Sequence, residues 1–296
     1  MAVDPEKLLD QADDAFDAEN WTLARKKFKQ AMQIFQKEND GKGECICLIG
    51  IAETYSSVED WEQSMKYYEK CLEIATELKH DDDVYACYEG LGDSYSSLEK
   101  WNEAIEYYQK GLELAKKLND KEGEFSCLIN IGHTYSSLQN WDESLRFFKQ
   151  CMEVVKSLDN PELEYLCLIG IGDAYCGSEQ WANAIEYYEK GQDLAKSLKN
   201  KDDEASTLES IGDCLLGLGK VPDGIEKYQA ALKLANQTKN TLFQFTNLLK
   251  IGDAYASENQ KEEALVEYKK AKTVAKKLGY ADYVQTVEKY ITKVSN

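Results

Sequence analysis

The sequence predicts an all-α protein built from a tandem array of helix pairs. Its five tryptophans recur every forty residues, at Trp21, Trp61, Trp101, Trp141 and Trp181. Within each interval, apolar residues follow the spacing of amphipathic helices. The 296 residues include only 3 prolines, and the abundant Glu and Lys favour helix. An array presents its functional groups along an extended surface, so we expect a binding surface more than a single catalytic point.

The forty-residue period divides the chain without any insertion or deletion. Counted from Leu8, it gives seven segments, at residues 8–47, 48–87, 88–127, 128–167, 168–207, 208–247 and 248–287. We expect residues 288–296 to cap the last segment, and residues 1–296 to form a single domain. The helical spacing after Ala281 predicts a closing helix with one buried face, carried by Tyr283, Val287, Tyr290 and Ile291.

Each segment carries two amphipathic patterns separated by a short break. In the third segment, Tyr88, Leu91 and Tyr95 fall on one helical face. The break at residues 96–100 precedes a second apolar stripe over residues 101–118. Each segment is therefore predicted to contain a helix, a tight turn, a second helix and a loop.

A column of small residues recurs once per segment in the first predicted helix. Its members are Ala12, Ala52, Gly92, Gly132, Gly172, Gly212 and Gly252. A glycine inside a helix costs about 1 kcal/mol relative to alanine. The glycines in register therefore indicate a contact that is too close for a methyl group. We expect large rings to fill the space beside this column, among them Tyr55, Tyr95, Tyr135, Tyr175 and Tyr255.

These positions carry a family resemblance. The third segment resembles the tetratricopeptide repeat signature in residue type and spacing, at Leu91, Gly92, Tyr95, Trp101, Ala104, Tyr108 and Gly111. The forty-residue period is similar to that of the Leu-Gly-Asn (Pins-type) subgroup, although most segments here have Gly-Asp in place of Gly-Asn. The resemblance implies an α-solenoid, a right-handed superhelix of seven helix-turn-helix units plus a C-terminal capping helix. It also implies that first helices line the concave wall and second helices the convex wall.

The composition bears on the class of partner. Asp and Glu number 54 against 35 Lys and Arg, which gives a formal net charge of -19. This balance argues against nucleic acid and against an anionic membrane as partners, since both attract clustered basic residues. A basic partner suits the charge better, although acidic residues also simply keep a protein in solution.

Sequence features also bear on localisation. Residues 1–7 lack the apolar core of a secretion signal. The longest run of apolar and small residues, near residues 45–52, is too short to cross a bilayer. We therefore expect a cytoplasmic protein whose nine cysteines are reduced thiols.

One polar column directly follows the small column, and we call it the acid column. It comprises Asp13, Glu53, Asp93, His133, Asp173, Asp213 and Asp253. Neighbouring helices pack about 8–10 Å apart, so successive carboxylates lie too far apart to share a calcium ion. They suit an extended peptide that carries Lys or Arg, because ionised carboxylates only accept hydrogen bonds. The alternative is local, with these acids bound to tyrosine hydroxyls or helix ends of neighbouring segments.

The resemblance implies that the acid column faces the concave groove, and other residues are predicted to line the same groove. Small side chains would let a ligand backbone approach closely, at Ser56, Ser96 and Ser136, unless these serines merely end their helices. Apolar side chains would add a hydrophobic floor if they are exposed, at Ile49, Ile129 and Ile169. They alternate with Glu89 and Glu209. His133 would make the groove pH-dependent or is a neutral substitution.

Catalytic, metal and cofactor sites are not expected. One column of cysteines has a spacing too wide for a disulfide or a shared zinc ion, at Cys47, Cys87, Cys127 and Cys167. Small buried apolar residues are the simpler interpretation. No nucleophile and base are paired by spacing, and no glycine-rich loop cradles a phosphate. We therefore predict a protein that is not an enzyme and needs neither cofactor nor metal.

Two functions are compatible with these features. The first is an adaptor or scaffold whose acidic groove binds an extended, basic segment of a protein partner. The second is a rigid structural subunit that binds through its convex face or its ends. Paired rings recur on that face, at Tyr67–Tyr68, Tyr107–Tyr108, Phe147–Phe148 and Tyr187–Tyr188. A groove that clamps a terminal carboxylate fits poorly, since acidic side chains repel it.

Overall fold

The computed structural model describes residues 4–295, and this part of the chain contains fifteen α-helices and no strand. They are α1 (Pro5–Asp17), α2 (Trp21–Glu38), α3 (Gly41–Ser56), α4 (Trp61–Leu78), α5 (Asp81–Ser97), α6 (Trp101–Leu118), α7 (Lys121–Ser137), α8 (Trp141–Val155), α9 (Pro161–Gly177), α10 (Trp181–Ser197), α11 (Lys201–Gly217), α12 (Val221–Thr238), α13 (Thr241–Ser257), α14 (Lys261–Leu278) and α15 (Ala281–Ser295). The all-α prediction is confirmed. None of the helices within this range combines the length and apolar character of a membrane span.

The described chain divides into two compact units, with the boundary between Leu158 and Asp159. Unit 1 contains hairpins 1 to 4, formed by α1–α2, α3–α4, α5–α6 and α7–α8. Unit 2 contains hairpins 5 to 7, formed by α9–α10, α11–α12 and α13–α14, followed by α15. Within each unit, every helix packs against its neighbours along the chain, which is the arrangement of an α-solenoid. The single domain over residues 1–296 stays a prediction, and residues 1–3 and 296 lie outside the described part.

The hairpins begin earlier in the chain than the segments counted from Leu8. α3 begins at Gly41 rather than Leu48, and α5 begins at Asp81 rather than Tyr88. The segment boundaries therefore fall inside the first helices, because they follow a column of core residues and not the helix caps. The closing helix is present as predicted, and it begins ahead of the expected cap at residues 288–296.

One turn geometry recurs every twenty residues and separates each helix from the next. Two positions before the start of every helix from α2 to α15, a residue adopts the left-handed region: Glu19, Asn39, Glu59, Lys79, Glu99, Asn119, Gln139, Asp159, Glu179, Lys199, Gly219, Lys239, Asn259 and Gly279. After α1, the Asn20 N–H donates to the Ala15 carbonyl, as in a Schellman motif. The Asn20 side chain then accepts from the Leu23 N–H and caps α2. One helix together with its turn spans twenty residues, so two of them make up the forty-residue period.

Gly219 allows a test of this turn that involves the backbone alone. Its φ is +72°, and a Cβ atom added there would meet nothing within 4 Å. Gly219→Ala is expected to lower the free energy of unfolding by about 1 kcal/mol, because L-residues are strained in the left-handed region. Urea denaturation followed by circular dichroism measures the change. The adjacent Lys220→Ala is expected to cost less than about 0.5 kcal/mol, and equal losses in both variants would contradict the backbone explanation.

Aromatic rings of the second helices explain the glycine column. A Cβ atom at Gly172 would lie 2.5 Å from the Tyr188 ring, and one at Gly212 would lie 2.5 Å from the Tyr228 ring. The same contact recurs in three further pairs, Gly92–Tyr108, Gly132–Phe148 and Gly252–Tyr268. The prediction of a contact too close for a methyl group is confirmed. The rings against these glycines come from the second helices, and not from the column of Tyr55.

Hairpins 1 and 2 place the same ring differently. The column residue in these hairpins is alanine and fully buried, at Ala12 and Ala52. The Phe28 ring packs instead on Gly50 of hairpin 2, where an added Cβ atom would lie 2.5 Å from it. The Tyr68 ring likewise packs on Gly90 of hairpin 3. The size of one side chain therefore decides whether a ring packs within its own hairpin or on the next one.

Helix α15 closes unit 2 through one buried face. Val287 is fully buried. The Tyr283 ring stacks on Phe245 of α13 with a centroid distance of 4.9 Å, and the Tyr290 ring stacks on Tyr268 of α14 at 5.6 Å. Stacked pairs of this kind stabilise a contact beyond the area that they bury. The apolar pattern read from the sequence after Ala281 is therefore the contact face of this helix.

Candidate functional site

The first helices of consecutive hairpins lie side by side within each unit. In unit 1, the Tyr85 hydroxyl of α5 donates to the Gly123 carbonyl of α7 at 3.2 Å. In unit 2, the Tyr165 hydroxyl of α9 donates to the Asp203 carbonyl of α11 at 3.2 Å. We call the surface of α1, α3, α5 and α7 the first-helix wall of unit 1, and that of α9, α11 and α13 the first-helix wall of unit 2.

The acid column lies on these walls. Asp213 is half-buried, and the other members of the column are exposed to solvent. In unit 1 they are carried by four successive first helices, and in unit 2 by three. The acid column therefore follows successive first helices within each unit.

Tyrosines of the same hairpins hold four acids of the column. The Tyr108 hydroxyl donates to the Asp93 carboxylate at 2.6 Å, and the Tyr228 hydroxyl donates to Asp213 at 2.6 Å. Bonds of 2.6 Å also join two further pairs, Tyr188–Asp173 and Tyr268–Asp253. A ring seated on the column glycine brings its hydroxyl to the next residue, so glycine, acid and tyrosine form one structural set. The local alternative raised by the sequence is therefore present at these acids.

Asp13 and Glu53 lack such a tyrosine, because the ring of hairpin 1 is Phe28, which has no hydroxyl, and the Tyr68 ring of hairpin 2 packs on Gly90. Among residues 4–295, neither carboxylate has a hydrogen-bond or ion-pair partner. Partial desolvation, followed by the charge of Asp10, raises the pKa of Asp13. Partial desolvation and the charge of Asp13 raise the pKa of Glu53. Like charges therefore repel each other across α1 and α3, and a bound cation would relieve this repulsion.

His133 takes the acid position in hairpin 4. Its ring packs edge-on against Phe148, with a centroid distance of 5.0 Å and an interplanar angle of 75°. Phe148 occupies the position of Tyr108 in hairpin 3 but has no hydroxyl to donate. The acid and the hydroxyl are therefore replaced together in this hairpin.

Lys250 of α13 lies outside the predicted set, yet it is bound on the first-helix wall of unit 2. Its Nζ lies 2.8 Å from Glu209 Oε1 and 2.6 Å from Asp213 Oδ2, and 5.7 Å from the centroid of the Tyr228 ring. Burial lowers the pKa of Lys250, but the hydrogen bonds to Asp213 and Glu209 outweigh burial and raise the pKa. The signal in the sequence is a single lysine in a column otherwise made of Asp10, Gly50, Gly90, Asn130, Gly170 and Ser210.

The corresponding acids of unit 1 are Glu89 and Asp93 of α5. The Ser126 hydroxyl of α7 donates to Glu89. Burial raises the pKa of Asp93, the hydrogen bond from Tyr108 opposes this rise, and the charge of Glu89 adds to it. Asp93 therefore accepts from one hydroxyl, and Glu89 accepts from Ser126 and also lies 3.5 Å from the Tyr85 hydroxyl.

The predicted serines make local contacts. The hydroxyls of Ser56 and Ser64 lie 2.8 Å apart, and those of Ser136 and Ser144 lie 2.7 Å apart. Each pair joins the first helix of a hairpin to the second. The serines thus stabilise their hairpins, and a role in the approach of a ligand stays a prediction.

The predicted isoleucines do not form an exposed hydrophobic floor. Ile129 is buried, with 8% of its surface exposed. Ile49 and Ile169 are half-buried and pack against the cores of their units. A Cβ atom at Gly191 would lie 3.0 Å from Ile169, so this side chain covers α10. Charged side chains, and not these apolar ones, are therefore the main groups on the wall that a ligand can contact.

The paired rings of the second helices are engaged in stacking. The ring of Tyr67 stacks on that of Tyr55 with a centroid distance of 5.6 Å, and Tyr107 stacks on Tyr95 at 5.4 Å. In hairpin 4 the same contact joins Phe147 to Tyr135. These rings link the two helices of a hairpin, and one face of each is unavailable to a partner.

The cysteines of the predicted column are buried, and no disulfide joins any of the nine cysteines, all of which lie within residues 4–295. Cys47, Cys87, Cys127 and Cys167 are fully buried. Burial raises the pKa of Cys47 to about 12, which disfavours the reactive thiolate at neutral pH. Within residues 4–295, no group of His, Cys, Asp and Glu has the arrangement of a metal site.

The stacked hairpins, with their repeated sets of small residues, rings and acids, define a helical repeat protein. Tetratricopeptide repeat profiles match residues 5–77, 83–157 and 124–197, and also residues 246–278. The chain belongs to the tetratricopeptide repeat family. No curated protein sequence matches it.

Solved structures share this fold at low sequence identity. A signal transduction ATPase with numerous domains and a tetratricopeptide repeat sensor, from Pyrococcus horikoshii, has a TM-score of 0.80 and 17% identity, over 99% of this chain and 44% of that chain. This chain thus spans less than half the length of that ATPase. The apo form of RapI has a TM-score of 0.76 and 14% identity, over 96% and 79% of the two chains. A tetratricopeptide repeat protein from Parabacteroides merdae has a TM-score of 0.66 and 16% identity, over 99% of both.

Proposed function

We propose that this chain is a non-enzymatic adaptor whose first-helix wall in unit 1 binds an extended, basic segment of a protein partner. One observation carries the proposal: Asp13 and Glu53, on consecutive first helices, are exposed and have no hydrogen-bond or ion-pair partner among the residues that the structure describes. Asp93 continues the column with a solvent-exposed side chain. Lys or Arg side chains would relieve the repulsion between these acids, and the net charge of -19 would attract such a segment.

The spacing of the helices suggests a spacing for the basic residues of the ligand. Neighbouring helices pack about 8–10 Å apart. A polyproline II peptide advances about 3.1 Å per residue and repeats every three residues. A peptide with lysine at every third position would therefore present one ammonium group to each hairpin, all on one side.

Neutralising the three exposed acids of unit 1 is expected to weaken the binding of such a peptide. The variant is Asp13→Asn/Glu53→Gln/Asp93→Asn, and the probe is a fluorescent peptide of Lys-Ser-Ser repeats. Exposed ion pairs contribute about 0.2–1 kcal/mol each, so we expect a loss of about tenfold in affinity by anisotropy titration. The affinity of the unmodified protein is expected to fall as salt is added.

The control variant changes the net charge by the same amount, but on the second helices of unit 1. Glu62→Gln/Glu73→Gln/Glu113→Gln alters three exposed acids away from the wall. It is expected to retain most of the affinity. Equal losses in the two triple variants would mean that net charge alone attracts the peptide, and no binding by the unmodified protein would reject the proposal.

We also propose a repeat subgroup and a localisation for this chain. We assign the chain to the Leu-Gly-Asn (Pins-type) subgroup on the forty-residue spacing of its hairpins. We assign it to the cytoplasm because its nine cysteines are free thiols, which suits a reducing compartment. Family membership supports a protein or peptide as the partner.

A further inference from the structure

The same set of three residues occurs twice in the chain. The sets are Glu89–Asp93–Tyr108 in hairpin 3 and Glu209–Asp213–Tyr228 in hairpin 6. In each set the two acids lie one turn apart on a first helix, and the tyrosine hydroxyl donates to the aspartate at 2.6 Å. The position of the glutamate carries leucine or isoleucine in the other hairpins, namely Leu9, Ile49, Ile129, Ile169 and Leu249.

In hairpin 6 this set holds an ammonium group. The Nζ of Lys250, from the first helix of hairpin 7, lies 2.8 Å from Glu209 and 2.6 Å from Asp213. Each acid also accepts one neutral donor, because Tyr228 donates to Asp213 at 2.6 Å and Asn247 donates to Glu209 at 2.8 Å. The two carboxylates and the ring thus form a complete site for a primary ammonium group.

In hairpin 3 the neutral donors are present but the lysine is replaced. Tyr108 donates to Asp93, and Ser126 donates to Glu89. The residue of hairpin 4 that corresponds to Lys250 is Asn130. Ser126 and Asn130 lie one turn apart on α7, as Glu89 and Asp93 do on α5, so Asn130 lies level with Asp93. Asn130 is short and uncharged, and it leaves the charge of the acid pair uncompensated.

We propose that Glu89, Asp93 and Tyr108 form a subsite for a lysine side chain of the bound peptide. The ligand ammonium takes the place that Lys250 takes in hairpin 6. Lys250 itself is a built-in occupant that closes the equivalent site of unit 2 to ligands. The inference rests on the proposed function, since it names the position on the wall of unit 1 that selects lysine.

A substitution at Asn130 tests the subsite by filling it from within. Asn130→Lys copies the arrangement of hairpin 6, and we expect it to weaken binding of the Lys-Ser-Ser peptide by about threefold. Asn130→Gln adds length without charge and is expected to bind as the unmodified protein does. Asn102→Lys adds the same charge at an exposed position of α6 and is expected to have a smaller effect. Equal affinities for Asn130→Lys and Asn102→Lys would overturn the subsite.

A second readout needs no peptide and separates this inference from the proposed function. If the acid pair binds an ammonium group, Asn130→Lys will raise the urea midpoint of unfolding, and this rise will disappear in the Asp93→Asn background. A rise of the same size in both backgrounds, or no rise, would overturn the inference even if the peptide binds. A protein that binds no peptide but shows this coupling would reject the proposed function and keep the ammonium site.

Discussion

Tyr188→Ala is expected to lower the free energy of unfolding by about 3–5 kcal/mol, the range for truncation of a buried aromatic ring. Only 2% of Tyr188 is exposed. Its ring lies on Gly172 of α9 and packs in one cluster with Ile211 and Cys214 of α11. The ring therefore joins three helices, and its removal leaves a cavity between two hairpins. Urea denaturation followed by circular dichroism measures the loss.

Tyr188→Phe is the matched control, because it keeps the ring and removes only the hydroxyl. The lost hydrogen bond to Asp173 measures 2.6 Å, and its loss is expected to cost about 1 kcal/mol. Since each hairpin contacts only its neighbours, hydrogen exchange in Tyr188→Ala is expected to speed up mainly in α9, α10 and α11. Similar losses in the two variants would show that the hydroxyl, and not the packing of the ring, stabilises this region.

Gly172→Ala is expected to lower the free energy of unfolding by about 1–3 kcal/mol, as overpacking of a core does. The added Cβ atom would lie 2.5 Å from the Tyr188 ring. In hairpin 2, where the column residue is Ala52, the Tyr68 ring turns onto Gly90 of the next hairpin. The residue of hairpin 6 that corresponds to Gly90 is Ser210. The Ser210 side chain occupies the space that the Tyr188 ring would need in order to pack on the next hairpin.

A second substitution at Ser210 tests this explanation. The stability lost in Gly172→Ala/Ser210→Gly is expected to be smaller than the sum of the losses in the two single variants. The reason is that the Tyr188 ring can then pack on residue 210, as Tyr68 packs on Gly90. Ser210→Gly alone is expected to cost under about 1 kcal/mol through helix propensity. A crystal structure of the double variant is expected to show the bond from Tyr188 to Asp173 broken. Strictly additive losses of stability, with the Tyr188 ring in its original position, would contradict this explanation.

The helices and turns could be predicted from the sequence because their causes are local. Residues near Asn20 illustrate this, since an amide side chain that caps α2 acts within three positions of the chain. The glycine column also predicted a close contact correctly. It did not identify the ring, because the partner Tyr188 lies on another helix and Tyr175 is an equally large candidate in the sequence.

The candidate site was predicted only in part. Six residues of the acid column are exposed, and Asp213 is half-buried. Its members differ in a way that the column itself does not show: Asp13 and Glu53 have no partner within the described part of the chain, whereas Asp93 accepts from Tyr108. In hairpin 2 the cause is Ala52, the residue before Glu53, because the Tyr68 ring packs on Gly90 instead. In hairpin 1 the ring is Phe28, which has no hydroxyl to donate. Lys250 was missed since its partners, Glu209 and Asp213, lie on a different helix.

The sequence by itself determined the all-helical repeat and the forty-residue spacing of its hairpins. Each of these follows from periodicity and from interactions between residues close together in the chain. Only the tertiary structure decided which acids keep a free carboxylate and which acid pair is already occupied by Lys250. Those outcomes depend on whether a side chain of a neighbouring helix fits a space, and a contact of this kind leaves no period in the sequence.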